Sequence, residues 1–77
     1  MNTENIQAQF AVCVSNEGYP ASLELRKIYR IMPDEKAAMH NMVRVVDESG
    51  EDYLYPERFF VAIELPRAAE AAFLHAA

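Results

Sequence analysis

The chain has no tryptophan, one cysteine and two glycines in 77 residues, and only seven basic residues against twelve acidic ones. Each shortage removes a class of function. Cys13 has no second cysteine to bridge and assembles no CxxC-type metal site, which excludes a secreted, disulfide-stapled scaffold and fits a reducing compartment. With Gly18 and Gly50 as its whole supply, the chain has no Gly-rich phosphate loop, and none of its serines stands in a nucleophile-elbow context. A phosphate-binding surface needs clustered Lys and Arg to release counterions. Here Arg26, Lys27 and Arg30 form the one dense basic spot, and Glu24, Asp34 and Glu35 dilute its field. Neither nucleic acid nor an anionic membrane is expected as a partner. No apolar run approaches bilayer-crossing length and residues 1–9 are polar without a signal-peptide pattern, so a cytoplasmic location is expected.

What is present is globular composition: 52% hydrophobic and 25% charged residues, enough for a packed core. A domain of this length buries only about 60% of the surface its unfolded chain exposes, so one compact domain with a thin stability margin is expected. Residues 1–8 are polar apart from Ile6 and read as a flexible N-terminus. From Phe10 the pattern changes, with Phe10, Val12 and Val14 alternating against Ala11, Cys13 and Ser15, the period of a strand with one face toward a core. Asn16-Glu17-Gly18 ends it, and Tyr19-Pro20-Ala21 is extended connector.

A second β region runs from Leu23 to Met32, where Leu23, Leu25, Tyr29 and Ile31 share one parity and Lys27 interrupts the row, the mark of a bend or bulge. Pro33 stops it. Asp34 is placed to cap a short helical turn through Glu35 to Met39, with Asn41 as a left-handed stop. Residues 42–46 read as a strand, Asp47-Glu48-Ser49-Gly50-Glu51 as a tight turn and residues 52–55 as the returning strand. Pro56-Glu57-Arg58 is a non-strand step. Phe59, Val61, Ile63 and Leu65 then alternate with Phe60, Ala62 and Glu64 in a last strand that Pro66 closes. The Ala-rich residues 66–77 form an amphipathic helix that needs docking to persist.

Five short strands, a helical turn and a C-terminal helix predict a mainly β domain over residues 9–65, built as a small barrel, with the helix of residues 66–77 packed on it. Leu25-Arg26-Lys27-Ile28-Tyr29-Arg30-Ile31, Val43 through Pro56 and Phe59-Phe60-Val61 resemble the small bacterial barrels of the Src-homology-3-like (SH3-like) fold. The resemblance covers about residues 10–65 and implies a five-stranded barrel whose distal hairpin is followed by an aromatic-Pro step, a single helical turn and a closing strand. It implies no reaction, because no single activity attaches to those proteins. In signalling members of the fold, a Pro after the distal hairpin and an aromatic three residues later help to line a groove for Pro-rich peptides, and Pro56 and Phe59 occupy those places. The chain departs from that pattern in having no Trp, the wall on which such a ligand stacks, and no acidic, Tyr-containing loop at residues 16–21.

Candidate chemistry is sparse. Asp47, Glu48, Glu51 and Asp52 crowd one turn but lack the residue order of a calcium loop, so they read as a solvated hairpin tip. His40 falls in a loop and His75 near a helix end, which makes a poor metal site, and Cys13 has no dyad spacing to either histidine. No cofactor, metal or enzymatic activity is expected. The aromatic set carries more: Tyr53, Tyr55, Pro56, Phe59 and Phe60 follow the hairpin closely, and adjacent Phe59 and Phe60 do not both point inward from one strand. The aromatic left over makes an apolar patch unless the C-terminal helix covers it with Phe73 and Leu74. The expected function is therefore a non-enzymatic protein- or peptide-interaction module acting through Tyr53, Tyr55, Pro56, Phe59 and Phe60. A second copy of the chain is one candidate partner, and the alternative is an acidic accessory or regulatory subunit of a larger enzyme or complex.

Overall fold

The computed structural model describes residues 9–47 and 49–74; the N-terminal residues 1–8, Glu48, and residues 75–77 with His75 lie outside the described residues. Five strands, β1 (Gln9–Cys13), β2 (Ile28–Met32), β3 (Met42–Val46), β4 (Asp52–Pro56) and β5 (Phe60–Ile63), form one antiparallel sheet in the order β4-β3-β2-β1-β5. Helix α1 (Glu35–Met39) joins β2 to β3, a 3-10 turn (Glu57–Phe59) joins β4 to β5, and helix α2 (Arg67–Leu74) follows. The mainly β class and the C-terminal helix agree with the sequence. The expected closed barrel does not form: β5 pairs with β1 and β4 with β3, leaving β4 and β5 as the two edges of an open sheet. Closure requires these edges to stagger past one another and pair. Here the 3-10 turn separates them, and its Phe59 carbonyl accepts the Val14 N–H at 2.8 Å, committing the turn to the β1 side.

Local chemistry sets most boundaries. Asp34 caps α1 by accepting the Ala37 N–H on Oδ1 at 3.0 Å, while Asn41 ends the segment at φ 59°, both as the residue types dictate. Asp47 builds the hairpin turn: its Oδ1 accepts the Ser49 N–H at 2.8 Å and the Glu51 N–H at 3.1 Å, and Gly50 takes φ 91°. The β region expected from Leu23 is shorter, because Arg26 adopts φ 67° and both it and Lys27 stand opposite Cys13. The Arg26 N–H donates to the Cys13 carbonyl at 2.7 Å and the Cys13 N–H to the Lys27 carbonyl at 2.9 Å, a bulge that costs β2 its first residues.

The inner face of the sheet carries the core. Cys13, Leu23, Tyr29, Val45, Tyr55 and Phe59 are buried against one another, with Phe59 only 2% exposed. Tyr29 keeps its hydroxyl satisfied by accepting the Glu24 N–H at 2.9 Å, which pins the loop that delivers Leu23. Alternation in β1 does not divide core from solvent as expected. Ala11 and Cys13 face the core, and Phe10 is also buried on the outer face, where the Phe73 ring of α2 lies 5.4 Å away, centroid to centroid. The helix therefore docks on Phe10 and not on the surplus aromatics of the hairpin. Burial pushes the Cys13 thiol pKa up, so the neutral form is held.

On the outer face Arg44 links two carboxylates, Asp34 at 2.8 Å and Asp52 at 3.4 Å. The Ala37 N–H and then the Arg44 guanidinium hold the Asp34 carboxyl below its usual range, so the folded state prefers it ionised. That contribution is complete above the ordinary carboxylate range and is lost as pH falls through the lowered folded value. Asp34→Ala is expected to lower the melting temperature by roughly 5 °C at about pH 7, with the gap to the unsubstituted chain narrowing toward about pH 2, as followed by circular dichroism melts. A gap that widens on acidification contradicts the cap. Phe73→Ala removes the ring that docks α2, so hydrogen exchange should quicken throughout residues 67–74 while the sheet amides keep their protection; unchanged α2 protection would mean the helix is held elsewhere.

Candidate functional site

The register fixes which side chains share the inner face. Ala11 stands opposite Tyr29 and Ala62, Ile31 opposite Val45, and Val43 opposite Tyr55, so one row of each strand points to the same side. Large side chains fill half of that side: Tyr55, Phe59, Tyr29 and Leu23 close over Cys13. In the other half the paired residues are Ala11, which is buried, and Ala62, which is exposed and fills little volume. Beside it lies a cleft of about 620 Å³ whose lining includes Ala11, Ile31, Val43, Phe60 and Ala62, together with Phe10, Ile63 and Leu65. Phe60 is the wall between the halves, edge-on to Tyr29 at 6.0 Å and tilted on Tyr55 at 6.3 Å.

The rim is acidic. Glu57 comes from the 3-10 turn, Glu64 from the segment after β5 and Glu70 from α2, and among the described residues these three are the charged ones that line the cleft. Among the described residues none of them has an ion-pair partner. Arg58 lies with its guanidinium 5.1 Å from the Phe59 ring centroid, and Arg44 serves Asp34 and Asp52.

The five residues expected to form one patch separate. Tyr55 and Phe59 are core, at 6% and 2% exposure, and Pro56 is half-buried. Phe59 and Phe60 both turn inward because they belong to different elements, the 3-10 turn and β5, so neither is surplus. Tyr19, which the strand pattern does not single out, packs edge-on against Tyr55 at 5.1 Å and Phe59 at 6.0 Å. Tyr53 is 47% exposed at the hairpin end of β4, and its hydroxyl donates to Glu51 Oε1. Phe60 alone of the five lines the cleft. Sequence reasoning missed Ala11, Ala62 and the three glutamates. The available signal was two alanines at inward parity on strands that pair, a shortage of volume visible only once β1 is known to neighbour β5.

The other candidates are structural. Asp47 is held below the usual carboxylate range by the Ser49 hydroxyl and by the N–H groups of its own turn. His40 ends α1, where its N–H donates to the Ala37 carbonyl, and its side chain is exposed. Among the described residues no three His, Cys, Asp or Glu side chains converge as metal ligands, and no helix is long and apolar enough to cross a membrane. The chain matches no family model, and neither a curated protein nor a solved structure resembles it significantly.

Glu51 accepts the Tyr53 hydroxyl proton and repels the phenolate, which pushes the Tyr53 pKa up to about 12. Spectrophotometric titration should therefore find Tyr53 ionising later than an ordinary phenol, and Glu51→Gln should return it toward the usual value of about 10. A Tyr53 titration indifferent to that substitution excludes the bond to Glu51.

Proposed function

We propose that this protein is a non-enzymatic, cytoplasmic interaction module that takes a segment of a partner protein into the cleft lined by Ile31, Val43, Phe60 and Ala62. The observation that carries the reading is an apolar cleft in which Ile31, Val43 and Phe60 stay half-buried and Ala62 is exposed among the described residues. Burial of apolar surface is the main driving force of association, and uncovered concave apolar surface is where it is to be gained. The strand order, with the last strand beside the first and a 3-10 turn ahead of it, supports relating the frame to the SH3-like fold in an open form. The working surface then differs from the hairpin strand that the sequence favours, with Phe60 common to both.

A second reading, docking as an acidic accessory subunit through charge alone, is favoured by the net charge of −5 and the three rim glutamates. The two separate cleanly. Ala62 is exposed on the floor, so Ala62→Leu fills the cleft without disturbing the core. A partner co-purified from the native cell should bind Ala62→Leu at least about tenfold more weakly, with melting temperature unchanged and with binding that survives moderate salt. Undiminished affinity for Ala62→Leu overturns the cleft, and loss of binding in moderate salt with Ala62→Leu still competent establishes the charge-driven alternative.

A further inference from the structure

We infer that the segment the cleft accepts is extended, apolar on one side and cationic; this rests on reading the cleft as the docking site. Three observations converge. The floor is the inner face of a sheet, so it meets side chains at the period of a strand. Its flank is β5, which among the described residues pairs with β1 alone, and Ala62, Ile63 and Glu64 bring that edge to the cleft. An extended segment laid along that edge continues the sheet through main-chain hydrogen bonds.

The charge then selects the composition. Glu57, Glu64 and Glu70 reach one rim from three different elements, and among the described residues each lacks an ion-pair partner. Three carboxylates around one apolar hollow give it a negative field. A Lys- or Arg-bearing segment complements that field as its apolar side chains enter, while an acidic segment opposes it. Specificity of this kind comes as much from rejecting the wrong charge as from attracting the right one.

The test uses the full chain, isotope-labelled, titrated with three capped peptides: Lys-Leu-Lys-Leu-Lys, Glu-Leu-Glu-Leu-Glu and Lys-Ser-Lys-Ser-Lys. The first should saturate shifts at the amides of Val43, Ala62 and Ile63. The acidic peptide, equal in apolar content, and the serine peptide, equal in charge, should each bind about tenfold more weakly or not at all. Substituting Glu57→Gln, Glu64→Gln and Glu70→Gln together leaves the floor intact and should cost the first peptide about tenfold, the sum of three exposed pairs. Equal binding of the acidic peptide overturns the charge assignment, and equal binding of the serine peptide overturns any use of the floor. Shifts confined to Tyr53 and Leu54 overturn the site. If none of the three peptides moves the cleft amides, the cationic segment is wrong, while the comparison of Ala62→Leu with the unsubstituted chain judges the docking site independently.

Discussion

Phe59 is held by both its ring and its carbonyl. The ring, buried to 2%, sits in the core with Tyr55, Leu23 and Cys13 and under the Arg58 guanidinium, a burial that stabilises by about 2 kcal/mol or more. The carbonyl accepts the Val14 N–H where β1 ends, so the 3-10 turn is fastened to the strand that β5 must join. This one residue makes the chain leave β4, cross the end of the core and return on the far side of β1. The edges, the cleft and the position from which α2 departs all follow from that path.

The path also explains the division of labour between the two faces. The inner face is split by Phe60 into a filled half and a hollow half, and the outer face is split between Phe10, covered by α2, and the Asp34–Arg44–Asp52 row, which is polar and open. A chain of 77 residues has too few large side chains to fill every layer. It concentrates them where the turn is anchored and leaves alanines where the sheet is already held by its ladder.

What the sequence disclosed was whatever depends on neighbours along the chain. Asp34 and Asn41 bound α1, Asp47 and Gly50 make the hairpin, and the interrupted parity at Lys27 is the bulge, all effects of one residue on the next few. The separation of Phe59 from Phe60 was not legible, because it depends on the main-chain bond from Val14, far away in sequence. The same holds for the barrel that stays open and for the cleft. Ala11 and Ala62 are unremarkable residues until their strands are adjacent, and Glu57, Glu64 and Glu70 have no common spacing that a linear pattern would reveal.

Cys13 lies on β1 at the seam with β5, with no measurable exposure and its thiol kept neutral. A thiol reagent therefore meets it only in molecules whose seam has parted, and the rate of labelling counts those partings. The chain thus carries a built-in clock for the breathing of its own sheet, wound by the same packing that holds Phe59 in place. Any occupant of the neighbouring hollow that steadies β5 slows the clock, so the sulfur reports on events at a surface it never touches.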